Sequence, residues 1–180
     1  MYESLLRRRI VLAHGHLTDD AATRLCAQLL TLDAEADGPI QLEVQSLTAD
    51  LTAAVTVMGV LDTVGVPVQA RLSGRTTGAG LGVLAACPQR AAYPNALFAL
   101  TEPTAEFSGT VDAVAAQEEQ TRAMTGVVYE RLAEITGREV EEIRTAARAR
   151  LLLTAAQAVD YGLVSKVVTR PTRPTRPRPR

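Results

Sequence analysis

Three observations predict an α/β fold in which helices pack around a mostly parallel sheet. Short apolar runs alternate with segments of helical period along nearly the whole chain, the pattern of βαβ units. The intervening segments are long enough to be crossover helices rather than hairpin turns. At 180 residues, 47% of them hydrophobic, the chain suits one domain with a single core.

The elements follow in order. "RRRIVLAHGHL" reads as a short strand closed by a turn. In "TDDAATRLCAQLLTLDAEADG", Thr18 can cap a helix whose apolar positions Leu25, Leu29 and Leu32 recur at three- and four-residue spacing until Gly38 stops it. "PIQLEVQS" alternates Ile40, Leu42 and Val44 with Gln41, Glu43 and Gln45, a strand with one wet face. "LTADLTAAVTVMGVLDTVG" is a helix and "VPVQARLSG" a strand, and "GRTTGAGLGVLAAC" opens a further helix, with Thr77 as its N-cap. "AAYPNALFALTEP" supplies one strand and "TVDAVAAQEEQTRAMTGVVYERLAEITG" a long helix. "EVEEIRTAARA" and "TAAQAVDYG" are shorter helices, and "LVSKVV" is the terminal strand.

Composition narrows the function classes. The tail "TRPTRPTRPRPR", residues 169–180, holds five of the 19 basic residues, leaving 14 basic against 20 acidic residues before it. A core with a net charge of −6 is a poor nucleic-acid binder. Proline at every second or third position forbids helix and sheet in the tail and favours an extended, solvated rod, or a strap for an acidic or aromatic-lined surface. No apolar run approaches the roughly 20 residues that span a bilayer, and "MYESLLRRRIVLAHG" lacks a secretory core, so a cytoplasmic location is expected. Cys26 and Cys87 sit in helix-like apolar settings and read as buried small hydrophobes. His14 and His16 share one strand face without a fixed third ligand, so no metal site is expected. "GAGLG" lacks the acidic residue about 20 positions on that a dinucleotide loop requires, and no cofactor is expected.

The stretches "LLRRRIVL", "AQLLTLDAE", "YPNALFALTEP", "ERLAEITGREVEEI" and "TAAQAVDYGLVSKV" carry a resemblance to the proteolytic subunit of the Clp protease (ClpP), from Leu5 to Val168. The resemblance implies a spiral of ββα units, shared with the crotonases, with a protruding handle helix, in one domain over residues 1–168. It also implies a serine peptidase assembled from seven-membered rings. The family presents its serine in Gly-Gln-Ala-Ala-Ser-Met-Gly; here Gly74-Arg75-Thr76-Thr77-Gly78-Ala79-Gly80 stands in its place, so Gly78 replaces the serine. By the same matching Thr101 replaces the histidine and Arg150 the aspartate. A triad needs an oxygen nucleophile, an imidazole base and an acid that fixes the tautomer, and none of the three residues supplies its part. The oxyanion loop, Ser-Pro-Gly-Gly in the family, is Ser46-Leu47-Thr48-Ala49 here, with Ala79 beside the vacated serine position.

These substitutions lead to the expectation of a catalytically inactive ClpP-like homologue, not itself an enzyme, that serves as a structural or regulatory subunit. Gln41 and Glu43 replace the aromatic anchors where the family receives its hexameric ATPase, and the chain begins almost directly at the first shared motif without the family's axial segment. ATPase docking is therefore expected to be weak or absent. Glu118 and Glu119 on the handle, with Arg148 and Arg150 after it, are candidate ring-to-ring contacts. Self-assembly into a heptamer or tetradecamer, or a mixed ring with an active ClpP paralogue, stays open. Two enzymatic alternatives remain: a peptidase with its nucleophile relocated to Thr76, Thr77 or Cys87, or a crotonase-like acyl-CoA-binding protein. Ser46, Ser73 and Ser108 read as loop or turn serines, and both histidines fall in a segment that the family keeps away from its active site.

Overall fold

The computed structural model describes residues 2–35 and 37–169; the arginine-proline tail lies almost wholly outside them. A short helix α1 (Tyr2–Leu6) leads into strand β1 (Ile10–Leu17), helix α2 (Asp19–Glu35), strand β2 (Ile40–Ala49), helix α3 (Leu51–Thr63) and strand β3 (Val68–Ser73). Then come β4 (Arg75–Thr77), α4 (Gly80–Ala85), β5 (Gln89–Ala92), β6 (Leu97–Ala99), the long helix α5 (Val111–Thr136), α6 (Val140–Arg148), β7 (Leu152–Thr154), α7 (Ala155–Tyr161) and β8 (Lys166–Val167). Five strands form one wholly parallel sheet in the order β1-β2-β3-β5-β8. The second sheet, β4-β6-β7, pairs β4 with β6 in parallel and β6 with β7 antiparallel. The expected α/β architecture with a mostly parallel sheet is therefore present.

The alternating residues of β2 explain its position at the centre of this half: Ile40, Leu42 and Val44 are fully buried, while Gln41 and Glu43 on the opposite face are half-buried. Leu25, Leu29 and Leu32 of α2 and Ala54, Val57, Met58 and Leu61 of α3 join the same core. Burying each such leucine contributes roughly 1.5–3 kcal/mol. The Arg9 guanidinium ties the end of α2 back to the sheet by donating to the carbonyls of Leu32 and Gly38, both at 2.8 Å. Thr18 accepts a hydrogen bond from the Ala21 amide at 3.4 Å, as a capping residue should.

Several local expectations need correction. "AAYPNALFALTEP" carries two strands, β5 and β6, in different sheets, with the turn at Tyr93–Ala96 between them. Thr77 is not a helix cap: it is the last residue of β4 and pairs with Ala99, while the residue at the N-cap of α4 is Ala79, whose side chain makes no cap bond. Helix α4 has six residues, all buried. Its first, Gly80, passes so close to β2 that an added Cβ would stand 3.0 Å from the Leu47 carbonyl oxygen. Only a residue without a side chain allows that approach, and it locks residues 46–49 against the start of α4.

Candidate active-site groove

A cavity of about 580 Å³ lies where the end of β2 and the start of α3 face the β4–α4 turn and the segment after β6. Its walls include Gly78, Thr101 and Arg150, the three residues that the resemblance matches to a triad. Gly78 has φ +54°, and a Cβ built on it would meet Thr101 Oγ1 at 3.1 Å. A side chain at position 78 would thus point at residue 101, the relation a nucleophile has to its base. Arg150 holds φ +54° in the turn between α6 and β7. A serine mechanism centred on Gly78 has no attacking atom there.

Of the oxyanion-loop matches, Leu47 is fully buried, Ala79 is buried, and Thr48 and Ala49 reach the groove. Gln41 donates from Nε2 to Glu43 Oε1, and Tyr93 places its hydroxyl 3.3 Å from both oxygens of the same carboxylate. Those two residues are held within the chain rather than presented as apolar anchors. Among the interface candidates, Arg122 bridges Glu118 at 2.8 Å within α5, and Arg148 approaches Glu102 at 3.4 Å. Glu119 and Arg150 are exposed.

Two of the three relocated nucleophiles lose their standing on geometry. Thr76 is completely buried, and its Oγ1 has no partner among the described residues. Cys87 is likewise sealed, and burial pushes its thiol up to about 12 against the opposing pull of the Arg90 charge, so the thiolate is not populated near neutrality. Burial also raises the thiol of Cys26. Thr77, the last residue of β4, does line the groove.

The expectation that both histidines stand apart from the site is wrong for one of them. Both histidines line a second cavity of about 480 Å³ between α1, β1 and α2, and His16 also lines the groove that holds Gly78. Its Nδ1 lies 2.9 Å from Thr48 Oγ1 and its Nε2 3.0 Å from Asp50 Oδ1. These three residues are 32 and 34 positions apart in sequence, and the parallel pairing of β1 with β2 brings them together. The pairing slips on the way: His14 stands opposite Gln45 but His16 opposite Thr48, so Gly15 alone faces both Ser46 and Leu47. Ser46 takes φ +48° and Gly15 φ +71° at this bulge. Without the extra residue, His16 would face Leu47, since a one-residue slip exchanges the two faces of a strand. Asp50 occupies the N-cap of α3 with extended backbone yet makes no cap bond, a bond commonly worth about 1 kcal/mol; its carboxylate is turned to His16 instead. Among the described residues no group of three or more histidine, cysteine or acidic side chains could hold a metal ion, and no helix is long and apolar enough to cross a membrane.

A predominantly parallel α/β domain is the architecture that the Clp protease resemblance implies. The sequence matches the Clp protease family over residues 1–171. It is 32% identical to ATP-dependent Clp protease proteolytic subunit 2 of Rhodococcus jostii over 173 residues, 94% of this chain and 89% of that protein. Subunit 1 of Mycobacterium bovis is 30% identical over 94% of this chain and 86% of its own length, and subunit 1 of Corynebacterium jeikeium 32% identical over 94% and 92%. The chain belongs to the Clp protease family. The expectation that it is not an enzyme is thereby corrected: these relatives are named as proteolytic subunits, and membership carries no mark of inactivity. What the geometry limits is narrower, namely serine chemistry at position 78.

Proposed function

We propose that the chain is a structural or regulatory subunit of a Clp-type peptidase ring that holds extended peptide segments in the groove beside Gly78. The observation that carries this reading is the segment between β6 and α5. From Glu102 to Phe107 the groove wall is irregular, and among the described residues the amides of Glu102 and of residues 104–107 have no backbone partner, Pro103 having no N–H to offer. A row of unpaired amides and carbonyls beside a cavity is a template on which an extended peptide adds as a strand. Apolar side chains at Phe107, Val111 and Val127, 37%, 87% and 43% exposed, continue along the handle and offer surface for neighbouring copies.

The ring is a heptamer, a tetradecamer or a mixed assembly with an active ClpP paralogue, in the cytoplasm, with contacts through Glu118, Glu119, Arg148 and Arg150. Two of those side chains already have partners within the chain, so any contribution to assembly comes from exchanging partners, at about 0–1 kcal/mol for each exposed pair. Clp ATPase docking at the Gln41 and Glu43 face is weak, because both are tied to each other and to Tyr93 and neither is an aromatic anchor. Native mass measured alone and with the paralogue tests the reading. Seven or fourteen copies, or co-assembly, is the expected result; a chain that stays monomeric or trimeric in both conditions overturns it.

A further inference from the structure

We infer that Thr48, His16 and Asp50 form a second acyl-transfer relay on the opposite wall of the groove, able to hydrolyse ester or peptide carbonyls without any group at Gly78. For the class of substrate this rests on the peptide groove proposed above; the relay itself does not.

The tautomer follows from the partners. A carboxylate can only accept, so Asp50 Oδ1, 3.0 Å away, takes the proton on His16 Nε2. The neutral ring then has its lone pair on Nδ1, and the Thr48 hydroxyl at 2.9 Å donates to it. That is a hydroxyl bonded to a base whose far side is fixed by an acid, the relation nucleophilic catalysis requires. Two further observations argue against an accidental contact. The β1–β2 bulge is what sets Thr48 opposite His16, and bulges recur beside active sites because they re-aim side chains. Asp50 leaves the amides at the start of α3 uncapped in order to reach the ring. The Thr48, His16 and Asp50 side chains all open on the cavity that the unpaired 102–107 backbone borders.

The chemistry balances within these groups. Thr48 Oγ1 attacks the carbonyl carbon as its proton passes to His16 Nδ1, and Asp50 stabilises the imidazolium. The carbon–nitrogen or carbon–oxygen bond of the leaving group breaks, and that group takes the proton from Nδ1. Water then adds to the acyl-threonine, giving a proton to Nδ1, and the carbon–Oγ1 bond breaks as Thr48 recovers it. Thr48 and His16 are the catalytic pair, and Asp50 is a positioning residue.

The test uses the full chain with p-nitrophenyl acetate and a short fluorogenic peptide, reading release rate and, after acid quench, the mass and location of any acyl adduct. The expected result is an adduct on Thr48 and hydrolysis that falls about 10²-fold or more in Thr48→Ala and His16→Gln, returns in Thr48→Ser, and drops in kcat at constant KM in Asp50→Asn. Because Thr48→Ser keeps the hydroxyl, its recovery separates lost chemistry from lost folding. No adduct in the unmodified chain, an adduct elsewhere, or a rate indifferent to His16→Gln overturns the relay. Native mass is read on the same samples: rings without an adduct sink the relay alone, and an adduct on chains that never form rings sinks the ring reading alone.

Discussion

The two walls of the groove are held in different ways. The Gly78 corner rests on packed interior: the β4-β6-β7 sheet lies beneath it, Phe98 of β6 is completely buried opposite Thr76, and Gly80 lets the chain touch the Leu47 carbonyl. The His16 corner sits where β1 ends and α3 begins, with His16 and Asp50 side chains 54% and 52% exposed and the His16 ring hydrogen-bonded once to Asp50 and once to Thr48. Core packing therefore sets the shape of the groove, whereas its polar groups are surface residues whose exchange costs the fold little. Polar side chains on the His16 wall can therefore change without repacking the Gly78 wall.

The largest effect that would break this contrast is on stability. Phe98→Ala should cost about 3–5 kcal/mol in unfolding by denaturant, while Asp50→Ala should stay within about 1 kcal/mol because it removes one exposed pair and no cap bond. Comparable losses for the two would mean that the His16 corner is structural. Next in size is a gain of chemistry. In a Thr48→Ala background, Gly78→Ser with Thr101→His and Arg150→Asp should raise fluorogenic peptide hydrolysis about 10²-fold and create a site for serine-reactive probes. A side chain at 78 already aims at residue 101, so the unfavourable φ is the main obstacle, at about 1–3 kcal/mol. Absence of any gain would show that the three positions are not the triad equivalents.

How much of this could be read beforehand depended on the range of the signal. Helices α2, α3, α5, α6 and α7 and strands β1 to β3 announce themselves by period, and Thr18 marks its helix start. The three-residue strands β4, β6 and β7 are too short to show a period, and their pairing is decided by the partner strand. The matching of Gly78, Thr101 and Arg150 to a triad rests on family resemblance alone, and what the structure adds is that the three residues line one groove. His16 and Asp50 were not legible, because nothing local joins residues 34 apart; the bulge that couples them is a property of the β1–β2 register. The available hint was Asp50 directly before a helix with a histidine at the end of an adjacent predicted strand.

A smaller effect concerns Thr76, which lies beneath the Gly78 corner with its hydroxyl buried and unpartnered among the described residues. A buried hydroxyl without a partner costs about 1–3 kcal/mol, and valine has nearly the same shape, so Thr76→Val should stabilise the fold by about 1 kcal/mol and leave hydrolysis unchanged. Loss of activity in that variant would return the chemistry to the packed wall.

The smallest effect separates charge pairs that hold the fold from the pair in the groove. Outside the groove lining Arg131 grips Asp62 with two bonds, 2.7 and 2.8 Å, between α5 and α3, and that guanidinium holds the Asp62 carboxyl below the usual carboxylate range. A carboxyl whose folded pKa is depressed adds stability that is fully present above its unfolded value, about 4, and lost as pH falls through the lower folded one. Asp62 is 43% exposed, so the contribution is under about 1 kcal/mol. Asp62→Asn should thus be slightly less stable than the parent above about pH 5, the gap should close below pH 4, and the hydrolysis rate should not move at either pH. Asp50→Asn should do the reverse, changing rate with little change in stability. If both variants alter only stability, the His16–Asp50 pair is one more exposed bridge and the two walls of the groove differ in packing alone.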